Sequence, residues 1–241
     1  MNTLYISQQE VWELVFKNEK ELGASNILLC GETALARFYL NHRISCDLDF
    51  FIPSRFNPEH LIVKLSSIGI QINSPVIELR DDFCRQLSGR VQINNEIIKV
   101  DFIEDIYQEM FSSIVKDNAR TEEIDGLYHR KIRTVSGMYN KSNEISGGRQ
   151  TARDLFDLYI LNESVENISE FVSRVNYHGA NIPVEGLING IYNISWIDLI
   201  DEFDDLEKTA KWELVDTSII RKTLESEMIA LDNIGNYSGP K

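Results

Sequence analysis

The chain has 241 residues, of which 43% are hydrophobic and 26% charged, an ordinary balance for a soluble globular protein with room for one large domain or two small ones. Its net charge of −14 excludes a surface that grips nucleic acid everywhere, though not a local phosphate contact. No apolar run approaches the roughly 18 residues of a membrane span, the amino terminus has no basic stretch leading into an apolar one, and Cys30, Cys46 and Cys84 show no CxxC spacing, so the expectation is a cytoplasmic protein with reduced, mostly buried thiols and no membrane association.

In chain order, residues 7–22 read as an amphipathic helix with Val11, Leu14 and Val15 on one side. Residues 26–30 form a short buried strand that stops at Gly31, and residues 33–39 look helical. A polar connection, residues 41–45, leads into an apolar strand over residues 46–52 that ends at Pro53. Asn57 caps a helix over residues 57–67, with Pro58 at its first position. Residues 69–79, 84–93 and 96–103 read as strands, with Asn94-Asn95 as a hairpin turn. Beyond about residue 105 helices dominate, over residues 125–139, 151–161, 168–175, 184–192 and 216–232, and residues 238–241 form an unstructured tail. This shift predicts an α+β domain over residues 1–110 and a mainly α-helical region over residues 111–241.

Asp47-Leu48-Asp49 needs a chemical explanation. On a strand, residues two apart share a face, so both carboxylates project side by side. Two like charges roughly 4 Å apart repel by about 4 kcal/mol at an effective dielectric near 20, so such a pair shares a proton or holds a cation. Asp101, on a later strand, is a third candidate acid; it could equally face solvent beside Lys99. Three strand-borne acids beside a glycine turn suit divalent-metal and phosphate chemistry.

The ordered pieces Gly31-Glu32-Thr33-Ala34-Leu35-Ala36, Arg43-x-Ser45-x-Asp47-Leu48-Asp49, Lys99-Val100-Asp101-Phe102, His129-Arg130-Lys131-Ile132-Arg133 and Arg153-Asp154-Leu155-Phe156-Asp157 resemble the DNA polymerase beta-type nucleotidyltransferases. Within them the chain looks like the AbiEii/AbiGii toxin branch. The resemblance implies a mixed sheet with flanking helices, completed by the helical carboxy-terminal region. It implies two Mg²⁺ ions held by Asp47, Asp49 and Asp101, and catalytic roles for these three with Lys131 and Asp154. Gly31, Thr33, Ser45, Lys131 and Arg153 would bind the nucleotide. Thr33 and Ser45 could instead be local caps, and Asp154 and Asp157 routine members of an exposed helix face. His129 is expected to be exposed, and His42, His60 and His178 show no zinc-site spacing.

One position departs from the family pattern. Glu32 stands where a small residue is usual, bringing bulk and negative charge to a place where backbone N–H groups meet phosphate. Pointing away it leaves activity intact; pointing inward it ligates metal or blocks the nucleotide. The implied function is transfer of NMP from an NTP to an acceptor such as tRNA, by the toxin of a toxin–antitoxin or phage-defence pair with an antitoxin protein as partner. Between Lys116 and Arg153 eight basic residues face five acidic ones, which fits a local phosphate contact. Between Glu185 and Asp232 twelve acids against four bases would suit a polycationic acceptor such as an aminoglycoside, and Glu32 keeps open a non-catalytic binding protein.

Overall fold

The structure is a computed structural model that describes residues 3–79, 84–105 and 110–237; the tail over residues 238–241 lies outside them. The chain forms two compact units, Met1–Tyr39 with Ser45–Leu127, and Leu40–Ile44 with Tyr128–Lys241. Among the described residues no helix is long and apolar enough to cross a membrane.

In the first unit, α1 (Thr3–Lys17) and the short α2 (Glu19–Leu22) replace the single helix expected over residues 7–22. The break falls at Asn18, and Gly23 closes α2 at φ 72°, a left-handed position that suits glycine. The strands are β1 (Leu28–Cys30), β2 (Asp47–Ile52), β3 (Asn73–Leu79), β4 (Arg85–Ile93) and β5 (Glu96–Glu104). They make one sheet in the order β1-β2-β5-β4-β3, in which only β2 and β5 run parallel. Asn94 and Asn95 turn β4 into β5 at φ 49° and 66°, as a tight hairpin demands. Helix α3 (Gly31–Leu35) runs into a π turn over residues 36–40, and α4 (Pro58–Ser67) starts with the Asn57 side chain accepting from the His60 N–H.

Alternation divides the central strands. Leu48, Phe50, Ile52, Ile98, Val100 and Phe102 are buried on one face, where Phe50 stacks on Phe102 with ring centroids 5.0 Å apart. Val11, Trp12 and Val15 of α1 belong to the same unit's core. The other face of β2 and β5 carries the polar residues. A hairpin that the sequence reading lacks, β6 (Ser113–Lys116) and β7 (Ala119–Glu122), turns at Asp117 and Asn118. The Asp117 carbonyl accepts from the Trp12 indole at 3.0 Å. Of the three cysteines, none of them in a disulfide among the described residues, Cys30 is buried, Cys84 partly so and Cys46 exposed, since Cys46 precedes the strand rather than lying in it.

The second unit is mainly helical, with α5 (Ile124–Ser136) entering it at Tyr128, α6 (Ala152–Ser164), α7 (Ile168–Tyr177), α8 (Val184–Tyr192), α9 (Ile200–Asp204) and α10 (Thr217–Tyr237). The small hairpin β8 (Met138–Tyr139) and β9 (Ile145–Ser146) follows α5. Tyr128 stacks on Phe171 with centroids 4.1 Å apart in a core that includes Ile132, Leu155, Phe156 and Leu187. Helix α6 is buried almost all round, Arg153 being exposed near its start, and this explains its apolar sequence.

Two aspartates of α6 are fully buried, so the exposed-face reading of Asp154 and Asp157 does not hold. The Asp157 carboxylate takes a two-pronged contact from Arg43, Nε to Oδ1 at 2.7 Å and Nη2 to Oδ2 at 2.9 Å. It also meets His42 Nε2 at 2.7 Å and Lys131 Nζ at 2.9 Å. Residues 40–44 are thereby fastened inside this unit, and the fastening continues in backbone bonds from Ile44 N–H to the Glu207 carbonyl and from Thr209 N–H to the His42 carbonyl. Burial works against the Asp157 anion, but Arg43, Lys131 and His42 outweigh it and hold its pKa well below the ordinary carboxylate value.

A depressed folded pKa contributes stability that is present above the unfolded pKa, near 4, and is lost as pH falls through the folded value. The native protein should therefore lose stability to urea progressively below about pH 4, and Asp157→Asn should show a flatter decline there. At pH 7, Asp157→Ala removes the carboxylate shared by Arg43, His42 and Lys131 and should cost about 3–5 kcal/mol, measured from urea midpoints; a cost below about 1 kcal/mol would show that the group is not what holds this unit.

Candidate active site

The site is built on the parallel pair of β2 and β5. Its register sets Asp47 opposite Lys99 and Asp49 opposite Asp101, and alternation puts all four on the face away from Phe50 and Phe102. Register and period thus bring the three sequence-predicted acids together. Asp101 is buried at 5% exposure, so it does not face solvent.

Gly31 opens α3 at φ 71°, and a Cβ there would overlap Asp49 Oδ2. Only glycine lets the turn after β1 come this close to the carboxylate. Glu32 is buried, and its charge reaches Asp49. Thr33 and Ser45 are buried and bonded to each other at 2.9 Å, and the Thr33 hydroxyl also donates to the Asp47 carbonyl. In this arrangement the two hydroxyls brace α3 against the start of β2. The Ser45 carbonyl accepts from Gln8 at 2.9 Å.

Like charge surrounds Asp49. Surrounding protein desolvates Asp49, and Asp101, Glu32 and Asp47 add like charge, so its pKa is pushed up to about 7 despite the opposing Lys99. Lys99 lies with Nζ 2.6 Å from Asp101 Oδ2 and 3.9 Å from Asp47 Oδ2. Burial disfavours its charge, but the bond and charge of Asp101 prevail and raise its pKa.

Two observations bear on whether the group fits a divalent cation. Asp101 Oδ1 is enclosed and, among the described residues, has no hydrogen-bond partner. Asp49 is an anion that its surroundings resist, the condition that a cation relieves. Among the described residues no three His, Cys, Asp or Glu side chains are placed to hold an ion as they stand, and Asp101 Oδ2 is bonded to Lys99. Hard carboxylate oxygens are the donors that Mg²⁺ prefers, so the residue types fit.

The second unit holds the other predicted residues. Lys131 on α5 is 6% exposed, with Nζ 2.9 Å from Asp154 Oδ1 and 2.9 Å from Asp157 Oδ2. Thr151 caps α6 and bonds Asp154 Oδ2 at 2.7 Å, while Arg149, 59% exposed, reaches the same oxygen at 3.1 Å. Burial opposes the Asp154 anion, but Lys131 and Arg149 outweigh it and lower its pKa. Arg153 lies on the exposed side of α6, apart from this buried group. His129 is buried rather than exposed; burial, with Arg133 and Arg130, keeps its imidazole neutral and lowers its pKa to about 3.

Sequence reasoning missed Lys99 as part of the acid group, although its place two residues before Asp101 on one strand was a usable signal. It also missed Asp157, three residues after Asp154 and so on the same side of a helix, together with its partners Arg43 and His42.

The pattern of the family described as "Nucleotidyl transferase AbiEii toxin, Type IV TA system" matches residues 14–213. The solved structure of JHP933 from Helicobacter pylori is similar at a TM-score of 0.53 and 20% identity, over 99% of this chain and 96% of that one, and it shares the fold. MenT4, a nucleotidyltransferase toxin from Mycobacterium tuberculosis, is 15% identical with a TM-score of 0.48, over 95% of this chain and 83% of that one. No curated protein matches. With the family pattern running through both the β2–β5 acids and the α5–α6 charges, the chain belongs to the AbiEii family of nucleotidyltransferase toxins.

Proposed function

We propose that the protein transfers NMP from an NTP to a macromolecular acceptor, with Asp47, Asp49 and Asp101 holding Mg²⁺. The observation that carries this reading is the in-register placement of the three acids on β2 and β5, with one buried Asp101 oxygen left without a partner. Two Mg²⁺ ions bound there would supply stabilisation of the attacking and leaving oxygens during displacement at the α-phosphorus. The protein's own part is to hold carboxylate oxygens in fixed places, which the strand pairing and the Thr33–Ser45 brace do. Gly31 contributes by leaving Asp49 room.

In the second unit, Asp154 and Asp157 fix the Lys131 ammonium, and we assign this charge and Arg153 to phosphate contact. The acceptor suggested by the family is RNA, with tRNA as the first candidate. The setting is a cytoplasmic toxin–antitoxin pair, with a role in phage defence and an antitoxin protein as partner. Glu32 favours a second reading, a binding-only relative, since it adds a fourth negative charge beside Asp49. Restored transfer in Glu32→Gly, from an inactive native chain, would select it.

Transfer is measured with α-labelled NTPs, Mg²⁺ and a total tRNA pool. Asp49→Asn should lower it by at least about a thousandfold with the fold intact, since it removes a carboxylate that acts on the reacting phosphate; native-level transfer by this variant would sink the assignment. Lys131→Ala should lower transfer as well. Gly31→Ala forces a left-handed alanine against Asp49 and should cost about 1–3 kcal/mol of stability together with most activity. A Gly31→Ala protein as stable and active as the native one would show that the close approach is not required.

A further inference from the structure

The carboxylate group contains a cation of its own. Lys99 stands across the parallel pair from Asp47 and two residues before Asp101 on the same face, so register alone delivers its ammonium to both. Its 2.6 Å contact is with Asp101 Oδ2, while Oδ1 of the same buried carboxylate has no hydrogen-bond partner among the described residues. Lys99 is itself 49% exposed, and its flexible stem lets the ammonium leave without opening the core. A firmly built structural ion pair would bury the cation and use both carboxylate oxygens, as Arg43 does with Asp157.

We infer that Lys99 is a resident counter-ion that trades places with metal. In the metal-free protein its ammonium holds Asp101 and Asp47; a divalent cation arriving on these oxygens displaces it. This rests on the metal-site reading above. The electrostatic logic is direct. Without any cation, the like charges that register gathers at Asp47, Asp49 and Asp101 repel one another. With Lys99 kept in place, an incoming ion meets a positive charge as well as the carboxylates. Lys99 is therefore a positioning residue: it keeps the empty site folded and raises the metal concentration at which the site fills.

The test is calorimetric Mn²⁺ binding, without nucleotide, to the native protein, Lys99→Met and Lys99→Arg, alongside thermal unfolding in chelator and in saturating Mn²⁺. Lys99→Met should bind Mn²⁺ at least about tenfold more tightly, unfold at a lower temperature in chelator, and regain that loss with Mn²⁺. Lys99→Arg keeps the charge and should stay within about threefold of native affinity. Should Lys99→Met fail to fold, Lys99→Gln serves the same comparison. Native binding with unchanged or weaker binding in the neutral variant overturns the counter-ion role and leaves the metal site standing. No Mn²⁺ binding to either protein overturns the metal site and this inference together.

Discussion

Parallel pairing of β2 with β5 is the constraint on which the candidate site depends. Neighbouring strands lie about 4.8 Å apart, so the register that sets Asp49 opposite Asp101 forces two carboxylates to that spacing whatever their charge. At an effective dielectric near 20 such a pair repels by roughly 3 kcal/mol, and Asp47 and Glu32 add to it. The opposite face of the same strands is locked by Phe50 on Phe102, so a slip of one residue would bury the acids and expose the aromatic core. Apolar packing thus holds in place an electrostatic arrangement that would not assemble for its own sake.

The two units handle buried charge in opposite ways. In the second, Asp157 is met by Arg43, His42 and Lys131, and its pKa falls. Loss of the shared Asp157 carboxylate would deprive Arg43 of its two-pronged buried partner, which is why that group is structural whatever else it does. In the first, several acids face one half-exposed lysine, and the pKa of Asp49 rises. This contrast between a fully compensated aspartate and one set among like charges is what the proposed cation site rests on.

Much of this was legible in the sequence. Period-two alternation over Asp47–Ile52 and Glu96–Glu104 identified the strands and the shared face of Asp47 and Asp49, and Asn94-Asn95 marked the turn between β4 and β5. The pattern around Gly31, Asp47 and Lys131 pointed to the family to which the chain belongs. What was not legible depended on tertiary burial. His129 was expected to be exposed, and an exposed helix face stood as the alternative for Asp154 and Asp157, because ionisable residues on helices usually face solvent; only packing around α5 and α6 shows otherwise. The β6–β7 hairpin was overlooked for a different reason. Its strands are only four residues each, and its Asp117-Asn118 turn lies beyond residue 105, where helices were expected to dominate. Lys99 entered the reading only as a solvent-facing neighbour in the alternative for Asp101, whereas the two residues bond to each other on one strand face.

The most direct test of the account is where a divalent cation settles. Crystals grown with Mn²⁺ and a non-hydrolysable NTP analogue would report this through anomalous scattering. The account predicts at least one peak within about 2.5 Å of carboxylate oxygens from Asp47, Asp49 and Asp101, with the Lys99 ammonium moved off Asp101. A saturated crystal with no peak at these carboxylates, or with Lys99 still bonded to Asp101 beneath a bound nucleotide, would contradict it.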